Sequence, residues 1–508
     1  MSASEDAPGK VSVFDTTLRD GEQTPGVSFT PEQKITIAQT LSEMGVHAIE
    51  AGFPASSEDE AESVRAIASL NLDSVVCGLS RALKSDVDTC IGCGVDMIHI
   101  FIPTSEVQRT HTIRKSHEEV LSITSEVVGY AHDHCDSVLF SAMDATRTPL
   151  GDLIEVYKAA AEAGASVINV PDTVGIATPA SMKALITEIR GAVDCQIDVH
   201  CHNDFGMAVA NTISAVEAGA SQVQVTVNGM GERAGNADLA QTVMVLEAIC
   251  GISTGIVTNR LVSLSRTVSR FSGIAVPPIQ PVTGDNAFSH ESGIHAHGVI
   301  AETSTFEPGI MTPAMVGHRR KLRLGKHAGR HAVAQILSDA HITPDSDELD
   351  EILVRVKEIS GRGRKVTEYD LYEIAETVTG RVHERAVVLE GISVVTGSNA
   401  MPTASVMAEV KGKSRVYCSV GNGPVDAAMK AVLGATGMPV QLREFEVAAI
   451  SGGTDAIGHV TITVEDDLGQ TFNAGASGDD IIIASVEAMI NALNLMYMAE
   501  TGGEGEED

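Results

Sequence analysis

From Val11 to about Gly251 the hydrophobic positions repeat one pattern: a short β-branched run, a polar or Gly/Pro break, then a stretch with helical spacing. The runs are Val11–Phe14, Val46–Ala51, Ser74–Gly78, Met97–Ile102, Ser137–Ser141, Val167–Val170, Gln196–His200 and Gln222–Val227. Pro31–Met44, Ser116–Ala131, Leu150–Ala163 and Pro179–Arg190 carry helical periodicity between them, and several helices close on an Ala-Gly step suited to a C-cap. Eight strand–helix units in about 240 residues predict a closed (β/α)8 barrel, an α/β fold. An open doubly wound sheet is the alternative. No Gly-x-Gly-x-x-Gly follows the first strand, so dinucleotide binding gains no support.

Past the barrel, Leu261–Arg270 reads as a helix, and Pro277, Pro278 and Pro281 then break the chain. Gly284–Val299 is dense in histidine (His290, His295, His297), and Gly317–His331 is a basic island. That island could meet a ligand's phosphates or an acidic neighbouring subunit. Helical patterns resume at Asp347–Ile359 and Glu368–Val378. From about Arg385 the texture turns β-rich, and strand, glycine loop and helix recur in Arg415–Leu433 and Gln470–Leu495. The expected organisation is a TIM barrel over 1–272, helical linker subdomains over 273–384 and a C-terminal α+β pseudo-repeat domain over 385–499. An acidic tail over 500–508 is expected to be disordered.

Composition narrows the partners. Acidic residues outnumber basic ones 68 to 35, for a formal net charge of -33. Such a surface repels nucleic acid and anionic membranes, so neither is expected as a partner. With 43% hydrophobic residues in regular patterns, the acidity is not a sign of disorder; it reads as solvation in a high-salt, halophilic cytoplasm. Cys90 and Cys93 form one Cys-x-x-Cys without a second pair at zinc-ribbon spacing, and are expected as small apolar residues on a helix. No signal pattern and no apolar run of membrane-spanning length is read, which points to a reducing cytoplasm.

Candidate chemistry gathers at three strand ends. The first strand runs into Phe14-Asp15-Thr16-Thr17-Leu18-Arg19-Asp20-Gly21-Glu22-Gln23, placing Arg19, Asp20 and Gln23 on the loop where parallel α/β folds build sites. A salt-bridged surface turn is the competing reading. Strand seven runs into Val199-His200-Cys201-His202-Asn203-Asp204; residues i and i+2 of an extended chain share a face, so both imidazoles can converge. Strand eight runs into Asn228-Gly229-Met230-Gly231-Glu232-Arg233-Ala234-Gly235-Asn236. In a closed barrel strand eight lies beside strand one, which brings Asp20, His200, His202 and Asn236 around one point. That N/O set suits Mg2+ or Mn2+, with Zn2+ or Co2+ as alternatives.

Phe14–Gln23, His200–Asp204 and Gly231–Asn236 together resemble the 2-isopropylmalate synthase, homocitrate synthase and citramalate synthase family, over nearly the whole chain. The resemblance is strongest to the 2-isopropylmalate synthase branch, with an archaeal-like, halophilic composition. It implies condensation of acetyl-CoA with a 2-oxo acid. It matches Asp20, His200 and His202 to metal ligands and Asn236 to a metal-associated position. It gives Arg19 the keto oxygen, Thr173 the oxo-acid carboxylate and His290 proton transfer. Gln23, His99, Ser141 and Asn169 complete the expected substrate contacts. One departure is Met143, where relatives commonly carry glutamate: either Asp144 substitutes through a local twist or the acid is dispensable.

His99 and the small Ser141 favour 2-oxoisovalerate, giving 2-isopropylmalate, because small side chains leave room for an isopropyl group; pyruvate, giving citramalate, is the alternative. No cation near the mouth suits a distal carboxylate, as homocitrate formation would need. The terminal domain resembles the family's leucine-sensing domain, with Gly423, Pro424 and Asp455 on candidate effector loops, and a homodimer is expected. An inactive amino-acid sensor and a lyase running the reverse cleavage are the competing classes. Intact Arg19, Asp20, His200 and His202 argue against the sensor, and the effector-like repeat favours a regulated synthase.

Overall fold

Eight β-branched runs become the eight parallel strands of a closed barrel: β1 Ser12–Asp15, β2 Ala48–Gly52, β3 Val75–Arg81, β4 Met97–Pro103, β5 Val138–Met143, β6 Val167–Asp172, β7 Gln196–Cys201 and β8 Gln222–Val225. The computed structural model describes residues 9–290, 298, 305, 309–318, 320–322, 324, 328–339, 342–361, 366–380, 385–449, 458–466 and 471–502. Closure is made by β1 on β8, with Ser12 opposite Gln222 and Asp15 opposite Val225. The open-sheet alternative is thereby excluded. Val46, expected to open the second strand, instead caps the preceding helix α1 (Pro31–Glu43): Gly45 takes a φ of 87° and the Val46 N–H donates to Leu41 O. Helix α2 (Glu58–Ala68) and helix α3 (Lys84–Cys93) follow β2 and β3. Cys90 and Cys93 are buried on α3, as expected of small apolar residues.

Alternation sorts the strand residues into two environments. Val13, Ile49, Val76, Ile98, Phe140, Ile168 and Val199 join the main core between strands and helices. Phe14, Ala48, Cys77, Met97, Leu139 and Val167 form a separate apolar cluster. One pleat further along the strands stand Glu50, Leu79, His99, Ser141 and Asn169. The barrel is therefore dry at one level and polar at the next, toward the carboxyl ends of the strands.

The described residues fall into two units. Those up to Phe288, with 309–318 and Arg320, form the first; Ser289, His290 and the described residues from Lys321 onward belong to the second. Within the second, helices Arg330–Asp339, Ser346–Gly361 and Glu368–Thr379 share one core. The weak repeat proves to be two βββα units. One is β11 (Val387–Gly397), β12 (Ala400–Val410) and β13 (Lys413–Val420) with helix Pro424–Thr436. The other is β14 (Val440–Ala449), β15 (Gly458–Asp466) and β16 (Thr471–Gly478) with helix Ile481–Gly502. Two short strands, β9 (Ser289–His290) and β10 (Lys321–Leu322), pair in parallel.

Two expectations change. Helix Ile481–Gly502 runs into the expected tail, leaving 503–508 outside the described residues. It also holds an 18-residue apolar stretch, Ile481–Met498, of the length and hydropathy of a membrane span. Its apolarity has a local reason: Ala484, Val486, Ala488, Met489, Ala492 and Leu493 are fully buried in the second unit's core. Within the basic island, His318 is buried on Gly284 O, whereas Arg330 makes an exposed pair with Asp350. His295, His297, Arg319, Arg323, Lys326 and His327 lie outside the described residues.

Candidate active site

Barrel closure brings Asp20, from the loop after β1, to the two histidines at the end of β7. One ligand atom from each of Asp20, His200 and His202 lies within 4.8 Å of the others, and all three residues are buried. The two imidazole Nε2 atoms are 3.2 Å apart, and His200 Nε2 is 3.6 Å from Asp20 Oδ2. Asn236, bridged to His202 across the loop after β8, donates from Nδ2 to Asp20 Oδ1 at 2.9 Å and to Met230 O at 3.0 Å. Its Oδ1 is buried without a hydrogen-bond partner among the described residues, as is His202 Nδ1. Gly231 makes this approach possible: at a φ of +153°, a Cβ there would lie 2.1 Å from Asn236 Nδ2 and 2.8 Å from Asp20 Oδ1.

Electrostatics prepare these groups as ligands. Burial alone would raise the Asp20 carboxyl, but the Arg19 guanidinium, the two imidazoles and the Asn236 amide hold it well below the usual range. Burial pushes His200 down to about 3, helped by His202 and Arg19, and pushes His202 down as well. Both rings are thus neutral at pH 7, the form that ligates a metal. The His200 tautomer is fixed from behind. Its Nδ1–H donates to Gln224 Oε1 at 2.9 Å, while Gln224 Nε2 donates to Asp198 Oδ2 at 2.6 Å. Nε2 is left with its lone pair toward Asp20 and His202. The donor set, its neutral rings and the orphaned Asn236 Oδ1 fit a divalent ion.

A second chain of hydrogen bonds crosses the barrel beside the first. Arg19 donates from Nη1 to Asp20 Oδ2 and from Nε to Glu50 Oε2, each at 2.6 Å. Glu50 Oε1 lies 2.6 Å from His99 Nδ1, and His99 Nε2 lies 2.6 Å from Ser141 Oγ. Ser141 donates to Asn169 Oδ1 at 3.0 Å, and Asn169 donates to Asp198 Oδ2 at 2.7 Å. Burial raises Glu50, but Arg19 and His99 pull it down to about 2, so it is a carboxylate at neutral pH. Together the two chains close a ring from Arg19 through β2, β4, β5, β6, β7 and β8 back to Asp20.

Above this ring is a cavity of about 300 Å3. Arg19, Asp20, Gln23, His99, Ser141, Asn169, Thr173, His200 and His202, all expected site residues, line it. Phe53, Leu79, Phe101, Met143 and Pro171 add an apolar wall. Asp144 is not among the lining residues. It takes a left-handed φ of 69°, its side chain is buried, and its carboxylate accepts from Arg147 Nε and from Ser105 Oγ. Its N–H donates to Thr173 Oγ1 at 2.9 Å. Met143 therefore holds the wall position, and no twist brings Asp144 in its place. His290, Gly423 and Pro424 belong to the second unit, His290 on the short strand pair and the other two at the start of helix Pro424–Thr436. Asp455 lies outside the described residues.

Sequence reasoning missed Glu50, Asp198 and Gln224. A signal existed: Glu50 stands inside the apolar run Ala48-Ile49-Glu50-Ala51, and Gln222-Val223-Gln224-Val225 alternates with its polar residues facing one way. Strands whose outer face packs on helices direct such residues inward.

Comparison with known proteins agrees with this geometry. The HMGL-like family model matches residues 10–268, the homocitrate synthase post-HMGL domain-like model 282–364 and the LeuA allosteric (dimerisation) domain model 365–497. A probable 2-isopropylmalate synthase from Methanosarcina acetivorans is 54% identical over 97% of this chain and 96% of its own length. The chain belongs to the 2-isopropylmalate synthase family. Another member, the 2-isopropylmalate synthase of Methanocaldococcus jannaschii, is 49% identical over 96% of this chain and 95% of its own length. A putative (R)-citramalate synthase from Methanopyrus kandleri is 47% identical over 97% of this chain and 98% of its own. The Asp20, His200 and His202 cluster, the candidate metal centre, lies within the residues that the HMGL-like model matches.

Proposed function

We propose that this chain is a 2-isopropylmalate synthase, joining the acetyl group of acetyl-CoA to 2-oxoisovalerate and hydrolysing the thioester to release coenzyme A. The observation that carries the reading is one cavity lined both by a metal-ligand cluster with a guanidinium and by the apolar side chains Phe53, Leu79, Phe101, Met143 and Pro171. A 2-oxo acid with a branched tail presents the matching halves. Asp20, His200 and His202 would hold the ion, Mg2+ or Mn2+ in this reading, which would supply Lewis acidity for the 2-oxo acid. With Nε on Glu50 and Nη1 on Asp20, Arg19 keeps Nη2 for the oxygen on which charge develops. Thr173 is assigned the carboxylate, Gln23, His99, Ser141 and Asn169 line the substrate, and Asn236 steadies Asp20. His290 is one candidate for proton transfer, on the family resemblance alone.

The reading extends to a homodimer feedback-inhibited by leucine through the terminal domain, with Gly423, Pro424 and Asp455 on the effector loops. The matched allosteric dimerisation domain supports it. The functional division proposed is a catalytic barrel over 1–272, linker subdomains over 273–384, a regulatory domain over 385–499 and an acidic tail over 500–508. Eight free cysteines and the acidic surface suit a reducing, salt-rich cytoplasm. Coenzyme A release with 2-oxoisovalerate, pyruvate and 2-oxoglutarate, with and without Mn2+ and leucine, tests the whole. Metal-dependent release fastest with 2-oxoisovalerate is expected. Faster release with pyruvate would make the chain a citramalate synthase, and release with none would end the synthase reading.

A further inference from the structure

Lys34 is an ammonium on a helix face that is otherwise apolar. On α1 it shares the i, i+3, i+4, i+7 stripe with Ile37, Ala38 and Leu41, and it is only 3% exposed. Its Nζ lies 2.6 Å from Glu22 Oε2 and 2.6 Å from Glu60 Oε2. A buried cation is costly without partners, so two carboxylates at this distance mark a built cluster. Glu22 stands between Asp20 and Gln23, in the loop after β1, and Glu60 stands in the first turn of α2, after β2.

Each carboxylate turns its second oxygen to loop backbone. Glu22 Oε1 accepts the Phe29 N–H at 2.9 Å, and Glu60 Oε1 accepts the Phe53 N–H at 3.2 Å. Gly52 clears the way for Glu60, since a Cβ at its φ of +157° would lie 2.1 Å from Oε1. Gln23 and Phe53, the loop residues beside these two anchors, both line the cavity. Inside the barrel the Arg19–Glu50 pair already joins β2 to the loop after β1. Lys34 makes a second tie from the loop after β1, here to α2, the helix that follows β2.

We propose that Lys34 is a positioning residue which, through Glu22 and Glu60, holds Gln23 and Phe53 against the 2-oxo acid. The identity of that ligand rests on the synthase reading; the clasp itself does not. Lys34 touches no substrate, so its loss should loosen binding before it slows chemistry.

The test uses the full-length protein carrying Lys34→Met, the charge-balanced triple variant Glu22→Gln/Lys34→Met/Glu60→Gln and Lys34→Arg. The triple variant leaves no uncompensated carboxylate and decides the matter where Lys34→Met alone does not fold. Expected in the Met variants is at least about tenfold faster amide exchange at Phe29 and Phe53, with Ala177, held by Asp172, unchanged. KM for the 2-oxo acid should rise about tenfold with kcat within about threefold, and Lys34→Arg should recover most of the loss. Unchanged exchange at Phe53 in a folded Met variant would overturn the proposal. So would faster exchange with an unmoved KM, which makes Lys34 a structural cation only. Absence of turnover in the unaltered protein would instead defeat the synthase reading, and the exchange data would still decide the clasp.

Discussion

Glu50 Oε2 accepts from Arg19 Nε at 2.6 Å, and the carboxylate that does so is completely buried inside the barrel. Its other oxygen meets His99, so one acid orients both a guanidinium and an imidazole that line the cavity. Glu50→Gln should keep the shape and lose the charge. The amide oxygen could still accept from Arg19 Nε but without the charge that fixes it, so the guanidinium, which the proposed reaction sets against the keto oxygen, would be held less firmly. Loss of one aligned donor in a dry site costs about 10²-fold in kcat. Steady-state kinetics with a parallel Mn2+ titration check this, with the metal affinity expected to change far less than kcat.

Gln224 makes a separate prediction for the metal. It accepts the His200 Nδ1–H and is itself anchored by Asp198, so it selects the tautomer that leaves Nε2 free. Gln224→Leu removes that selection and strands a buried ring N–H. Mn2+ affinity should fall about 10- to 100-fold, measured by calorimetric titration of the metal-free protein. Unaltered affinity would mean that packing alone orients His200.

These two residues also show where the sequence was readable. The barrel followed from eight β-branched runs, because strands covered by helices on the outside need apolar outward positions wherever they occur. Asp20, His200 and His202 were visible because they cluster at strand ends in a protein whose closure could be argued. Glu50 and Gln224 were less visible, because each sits inside a strand and not at its end, and only the alternation of its neighbours marks it as facing inward. Asp144 was ambiguous for a related reason. It follows β5 directly, and its left-handed φ turns its side chain to Arg147 and Ser105, which no alternation rule foretells. Val46 failed as a strand residue because the helix cap claimed its N–H first.

Ser141 is the smallest side chain on the cavity wall and hydrogen-bonds both His99 and Asn169. Ser141→Tyr adds a ring to a cavity of about 300 Å3 and should exclude a branched tail more than a methyl. The ratio of kcat/KM for 2-oxoisovalerate over pyruvate should fall by about 10- to 200-fold per methylene-sized unit excluded. Competition between the two oxo acids measures that ratio directly. A ratio that does not move would place the tail elsewhere in the cavity.

The last prediction concerns pH and the fold. Burial raises the Asp15 carboxyl to about 7 from 3.8; its bonds from the Thr17 N–H and hydroxyl, each 2.9 Å, oppose the rise, and nearby Glu50 adds to it. The folded state therefore keeps this proton at pH values where the unfolded chain has released it. Bound protons exceed those of the unfolded state between pH 3.8 and about 7, so stability falls as pH rises through that window, by up to about 1.4 kcal/mol per unit. Glu50 works in the opposite sense: held at about 2 against 4.5, its contribution is present above pH 4.5 and is lost as pH falls toward 2. Asp15 therefore favours the metal-free barrel near pH 5 over pH 8; Asp198, raised to about 7, and Asp238, raised to about 6, act in the same sense, while His200, pushed down to about 3, opposes them below pH 6.5. Urea midpoints of the metal-free protein at the two values check the sign. Asp15→Asn, which cannot titrate, should fall less between the two values than the unaltered protein does, while an equal change in both proteins would show that Asp15 is ionised in the fold.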